Sequence, residues 1–142
     1  MTPTMVIRSV LAIVAGAAGA SAVIGGVEFL GQKVYPLPPG VDPMNPESLA
    51  AAMPSIPAGA LLIVLFGWAL GSVVAGWLAG TIAGRAPLVH GLVVGLLLTT
   101  AGIANMLAVP HPAWFFVLGL MVFLPSALAG AGASVRRGEE PV

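Results

Sequence analysis

Cysteine is missing from all 142 residues, which excludes disulfides, thiol catalysis and thiolate metal sites together. Charge is nearly as scarce: five Lys and Arg stand against five Asp and Glu, for a formal net charge of zero at pH 7. Soluble domains carry about a quarter charged residues. Here the share is 7%, against 58% hydrophobic, with a mean hydropathy of +1.06. From residue 86 to residue 135, between Arg85 and Arg136, 50 consecutive positions hold no formal charge. A soluble protein needs charged surface and a bilayer penalises it, so this is the composition of a membrane protein. No Lys/Arg cluster exists beyond Arg136 and Arg137, which argues against a nucleic-acid partner.

Four apolar runs are present, at residues 5–31 (interrupted by Arg8 and Glu28), 58–83, 88–109 and 114–135. At about 1.5 Å rise per residue, about 20 residues cross a hydrocarbon core of about 30 Å, so each run is long enough to span. The predicted fold is all-α: one polytopic domain, an antiparallel bundle of four transmembrane helices. Gly84 to Pro87 and Val109 to Pro112 form tight breaks between the later spans, because neither proline-bearing segment continues a helix. A rival reading takes Arg8, the apolar stretch and Ala20-Ser21-Ala22 as a signal peptide with its cleavage site. The apolar run continues past Ala22 to Leu30, which favours a span.

Arg8, Arg85, Arg136 and Arg137 fall on one side of such a bundle and Lys33 alone on the other. The positive-inside rule then places both termini in the cytoplasm. Richness in Ala and Gly and short connections suggest a bacterial inner membrane. Phe29, Tyr35, Trp114, Phe115 and Phe116 are expected near the outer interface. The outer loop, residues 32–57, holds seven of the thirteen prolines and is expected to be extended and stiff. Within it Asn45, Pro46 and Glu47 read as an N-cap, a first-turn proline and a first-turn acid, opening a short helix to about Ala52. Leu49 and Met53 would rest that helix on the membrane surface. The tail from Gly138 to Val142 reads as a frayed end.

Small residues supply the packing signal, because close backbone approach drives helix association in lipid. The second span carries Gly67, Gly71, Ala75, Ala79 and Ala83, with Ser72, Gly76, Gly80 and Gly84 beside them, and is predicted to be the central helix. The first span offers Ala18, Ala22 and Gly26, the third Gly91 and Gly95, the fourth Ala127 and Ala131. Trp68 and Trp77, nine residues apart, point to opposite sides of the second span, and neither reads as a substrate platform.

Two polar layers are the candidate sites. Ser72, Thr99, Thr100 and Ser126 lie at mid-depth near Pro125, whose ring frees the Met121 carbonyl and is predicted to bend the fourth span. Their hydroxyls are expected to satisfy that carbonyl or to bond across helices. Glu28 and Asn105 lie about one turn below the outer ends of their spans, capped by His111 and Trp114. An acid there needs a partner or water, and Asn105, His111 and Lys33 are its candidates. His90, at the inner end, reads as interfacial, with a ligand or proton role as the alternative. The two histidines sit at opposite faces and form no joint metal site. Asp42 and Glu47 are a weak, solvated candidate pair for a cation.

The segments Tyr35-Pro36 to Gly40-Val41-Asp42, Pro46-Glu47-Ser48-Leu49, Gly102-Ile103-Ala104-Asn105 and Pro110-His111-Pro112-Ala113-Trp114-Phe115 resemble those of a group of small bacterial membrane proteins with four predicted spans. The resemblance runs roughly end to end and implies the architecture only. Small multidrug-resistance transporters also carry a glutamate in the first span, but theirs lies mid-span in a shorter chain. The Arg-bearing signature of small dimeric fluoride channels is absent.

The leading expectation is a non-enzymatic bundle that binds a membrane lipid, another membrane protein or a second copy of itself through its outer end. A small oligomeric transporter or channel using Glu28 and the mid-depth hydroxyls is the alternative. Nothing in the sequence pairs a nucleophile with a base, and no cofactor or metal motif occurs, so enzymatic activity is not expected.

Overall fold

The computed structural model describes residues 2–136. These form α1 (Pro3–Val34), α2 (Pro46–Ala52), a single 3-10 turn (Met53–Ser55), α3 (Ala58–Ala83), α4 (Pro87–Ala108) and α5 (Ala113–Arg136). The four long helices are each apolar and long enough to cross a membrane, and they pack together as an all-α bundle. The chain is a multi-pass membrane protein. The expected frayed tail lies outside the described residues.

Helix boundaries follow local chemistry. Pro3 opens α1, where a missing N–H costs nothing, and Pro36 forces Tyr35 out of the helical region. The helix runs 32 residues, longer than the apolar run that announced it, because Gln32, Lys33 and Val34 continue the last turn. Arg8 and Glu28 are twenty residues apart, about 30 Å of rise, so each falls near one face of the hydrocarbon. Gly84 ends α3 in a left-handed conformation (φ 64°) that a glycine adopts without steric cost. Pro125 lies inside a continuous α5.

α3 is central and touches α1, α4 and α5. Its two small-residue ridges serve different neighbours. Gly67 and Gly71 receive Val27 and Ile24 of α1, while a Cβ at Gly76 would land on the Ala127 carbonyl of α5. Gly91 and Gly95 of α4 meet Ala131 and Ala127. On α1 the expected ridge is corrected. Ala18, Ala22 and Gly26 are exposed, and the bundle face is Ala12, Gly16 and Ala20. A one-third turn of the helix separates the two stripes, and spacing alone is blind to that rotation.

Loop and aromatic expectations also change. The segment after α1 is built from turns: Val41 N–H donates to the Pro38 carbonyl (3.2 Å), and Asp42 accepts from Met44 N–H through its side chain (2.9 Å). α2 forms as its cap dictates, with Asn45 Oδ1 accepting from the Glu47 and Ser48 amides at 2.9 and 3.2 Å. Yet Leu49 and Met53 face the bundle. Met53 packs on the hydrophobic core and both line a cavity, so α2 with its turn is a lid over the helices. Phe115 is fully buried in the core, because it lies between Trp68, which it meets edge-on, and His111, on which it stacks.

Candidate functional site

Beneath the lid lies a cavity of about 350 Å³. Its apolar walls come from the lid and the outer ends of α1 and α3, and its polar groups belong to Glu28, Gln32, Tyr35, Asn105 and His111. Three of the four residues in the predicted outer cluster therefore share one space. Trp114 does not line it. That ring is partly exposed and meets Phe115 edge-on at 5.9 Å.

Glu28 finds a partner that sequence depth did not suggest. The Trp68 indole hydrogen-bonds its carboxyl, while Lys33 lies 5.0 Å over the Phe29 ring. Trp68 in turn stacks on Phe123 (4.8 Å) and meets Phe115 edge-on (5.3 Å). On α3 the lining of the cavity ends at Val64, one turn above Trp68.

His111 is fixed from two sides. Its Nδ1 bonds the Val109 carbonyl at 2.6 Å, and its ring stacks on Phe115 at 4.4 Å with planes 12° apart. A carbonyl only accepts, so Nδ1 carries the proton and Nε2 of the neutral ring remains an acceptor. Burial pushes the imidazole below its usual range, opposed in part by the Val109 carbonyl, which favours the cation.

The mid-depth hydroxyls do not assemble. Ser72 donates to the Trp68 carbonyl (2.7 Å), Thr99 to Gly95 (2.8 Å) and Thr100 to Leu96 (2.9 Å), each one turn back on its own helix. Ser72 is fully buried, Thr99 and Ser126 half-buried, and Thr100 and Pro125 exposed. A hydroxyl in a helix reaches its own i−4 carbonyl without waiting for a neighbour, and that local bond wins here. None of these residues lines the cavity.

At the other end Ser9, which the sequence reading did not single out, joins Arg85 and His90, with Arg8 beside it on α1. Arg8 Nε donates to the Ile82 carbonyl (2.6 Å), Arg85 Nη2 donates to Ser9 Oγ (3.1 Å), and His90 Nε2 lies 3.1 Å from the same oxygen. His90 Nδ1 bonds the Ala86 carbonyl at 3.0 Å. With Nδ1 donating there, Nε2 is left as the ring nitrogen that pairs with the Ser9 hydroxyl. A hydroxyl and an imidazole are thus paired after all, but neither lines the cavity beneath the lid, and His90 is buried. Ala86 is held left-handed (φ 41°), a conformation costing about 1–2 kcal/mol for a residue with a Cβ. Its carbonyl accepts from the Val89 and His90 amides and from the His90 ring. Counting depth from the helix ends, as for Glu28 and Asn105, would have put Ser9, Arg85 and His90 in one layer.

Fold and sites together define a polytopic helical membrane protein with a lidded cavity at one end and a basic cluster at the other. Comparison of the chain with protein families, curated proteins and solved structures finds no match in any of the three.

Proposed function

We propose that this is a non-enzymatic lipid-binding protein of a bacterial inner membrane, holding an amine-bearing lipid headgroup beneath its lid. The observation that carries the reading is the cavity, whose size lies within the range of small-ligand sites, about 300–1,000 Å³. Its polar lining contains a carboxyl, two amides, an imidazole and the Tyr35 phenol but no Lys or Arg. Such a lining receives N–H or O–H donors and rejects a bare anion. Beside the lining residues, Phe29, Leu30 and Leu107 are exposed, so the neighbourhood of the mouth is oil rather than water. The arginine distribution supports cytoplasmic termini and an outward lid.

The test is native mass spectrometry of lipid retained by the purified protein. Wild type should keep phosphatidylethanolamine. Deleting residues 39–53, or filling the space with Ala60→Phe, should release it, and Glu28→Gln should weaken retention. Identical lipid profiles for all four proteins would overturn the proposal.

A further inference from the structure

Two guanidinium groups lie at the end of the bundle opposite the lid, with no acid beside them among the described residues. Arg8 is anchored by the Ile82 carbonyl and lies against the Gly84 backbone. Arg85 is anchored by the Ser9 hydroxyl, one residue along α1. Among the described residues no carboxylate lies within ion-pair distance of either. The acids of that set, Glu28, Asp42 and Glu47, all belong to the lid end, while Glu139 and Glu140 lie outside the described residues. Each arginine spends one of its five N–H donors on a neutral oxygen, which fixes its position without cancelling its charge. α4 also starts here, with no acid in its first turn and no side-chain cap, so its positive end adds to the same field.

We infer that Arg8 and Arg85 bind the phosphate group of an anionic phospholipid in the adjoining leaflet. Planar guanidinium forks match phosphate oxygens in geometry as well as charge. Gly84, against which Arg8 rests, also borders a groove of about 400 Å³ lined by Trp77, Gly80, Thr81, Pro87 and Ser134. The Trp77 and Pro87 rings and Val135 make much of this groove apolar, and its Ser134 hydroxyl is hydrogen-bonded to the Ala131 carbonyl, so it suits an acyl chain, which free phosphate lacks. Ser9 and His90 act as positioning residues: the imidazole Nε2 hydrogen-bonds the Ser9 hydroxyl, whose oxygen accepts from Arg85. This site stands on different residues from the cavity beneath the lid and does not depend on it.

The experiment is lipid titration of the full chain in mixed micelles, read by native mass spectrometry, with phosphatidylglycerol, phosphatidylcholine and inorganic phosphate as probes. Wild type should prefer phosphatidylglycerol over phosphatidylcholine by about 30-fold, the gain two basic residues give toward an anionic lipid. The double variant Arg8→Gln/Arg85→Gln should lose that preference, and Ser9→Ala should reduce it. Gly25→Ala, on the open side of α1 where a Cβ meets nothing within 4 Å, should leave it unchanged. Millimolar inorganic phosphate should not displace the lipid, and full displacement would make free phosphate the ligand and overturn the lipid assignment. Equal affinity of wild type for the two lipids overturns the inference whatever the variants do. So does a helical double variant that keeps the preference.

Discussion

At the scale of single residues, van der Waals contact decides more than polarity does. A Cβ at Gly76 meets the Ala127 backbone, which cannot rotate away, whereas a Cβ at Gly25 meets nothing within 4 Å. Gly76→Val should therefore destabilise the bundle by at least the 1–3 kcal/mol usual for overpacking, about, with α3 and α5 forced apart. Gly25→Ala should be neutral or stabilising by up to about 1 kcal/mol through helix propensity. Thermal unfolding in detergent checks the pair, and equal effects would contradict the packing. His111 supplies a pH test. Its folded-state pKa is depressed, so the unfolded chain takes up the proton first as pH falls below the ordinary 6.5. The contribution of His111 is present above that pH and is lost on acidification until the folded pKa is passed. Wild-type melting temperature should drop between pH 7 and 5 relative to His111→Phe, which keeps a stacked ring. Parallel curves would refute the assignment.

Among the elements, the lid is the one whose formation rests on a few polar bonds. α2 has seven residues, too few to persist on propensity alone. Asn45 caps it, Ser48 Oγ accepts from the Asp42 amide at 2.9 Å, and Met53 pins it to the core. Asn45→Ala should cost about 1 kcal/mol of lid stability. Amide exchange should quicken in residues 47–52 while α3 to α5 stay protected, and uniform acceleration would show that the lid is not a separate unit. The cap, the first-turn proline and the acid were legible in sequence because all three act within one turn. The direction faced by Leu49 and Met53 was not, because it depends on the bundle below.

For the whole molecule, an even number of crossings puts the start of α1 and the end of α5 on one side and the lid on the other. The cysteine-free chain makes this simple to measure, since single cysteines at Thr4 and Ser55, both exposed, would be the only thiols. Membrane-impermeant reagents should label Ser55→Cys from outside intact cells and Thr4→Cys only after permeabilisation. Labelling of both from one side would remove the four-span topology, and reversed labelling would remove the proposed orientation alone. The two ends also differ in charge. Among the described residues the acids Glu28, Asp42 and Glu47 lie at the lid end and Arg8 and Arg85 at the other, so these side chains present opposite charge to the two leaflets.

The sequence by itself determined the number of spans, the central place of α3 and the presence of a capped lid helix. Hydropathy, small-residue spacing and capping are properties of neighbours along the chain. Tertiary structure decided which faces meet and which polar groups pair. Spans that are apolar on every side carry little record of their rotation, which is why the exposed stripe of α1 was mistaken for its packing face. Helical side chains lean toward their own N-terminus. Trp68 on α3 therefore leans toward the lid, while Glu28 on the antiparallel α1 leans away from it. The two meet at a depth that counting Cα positions does not give, and only the assembled bundle brings them together.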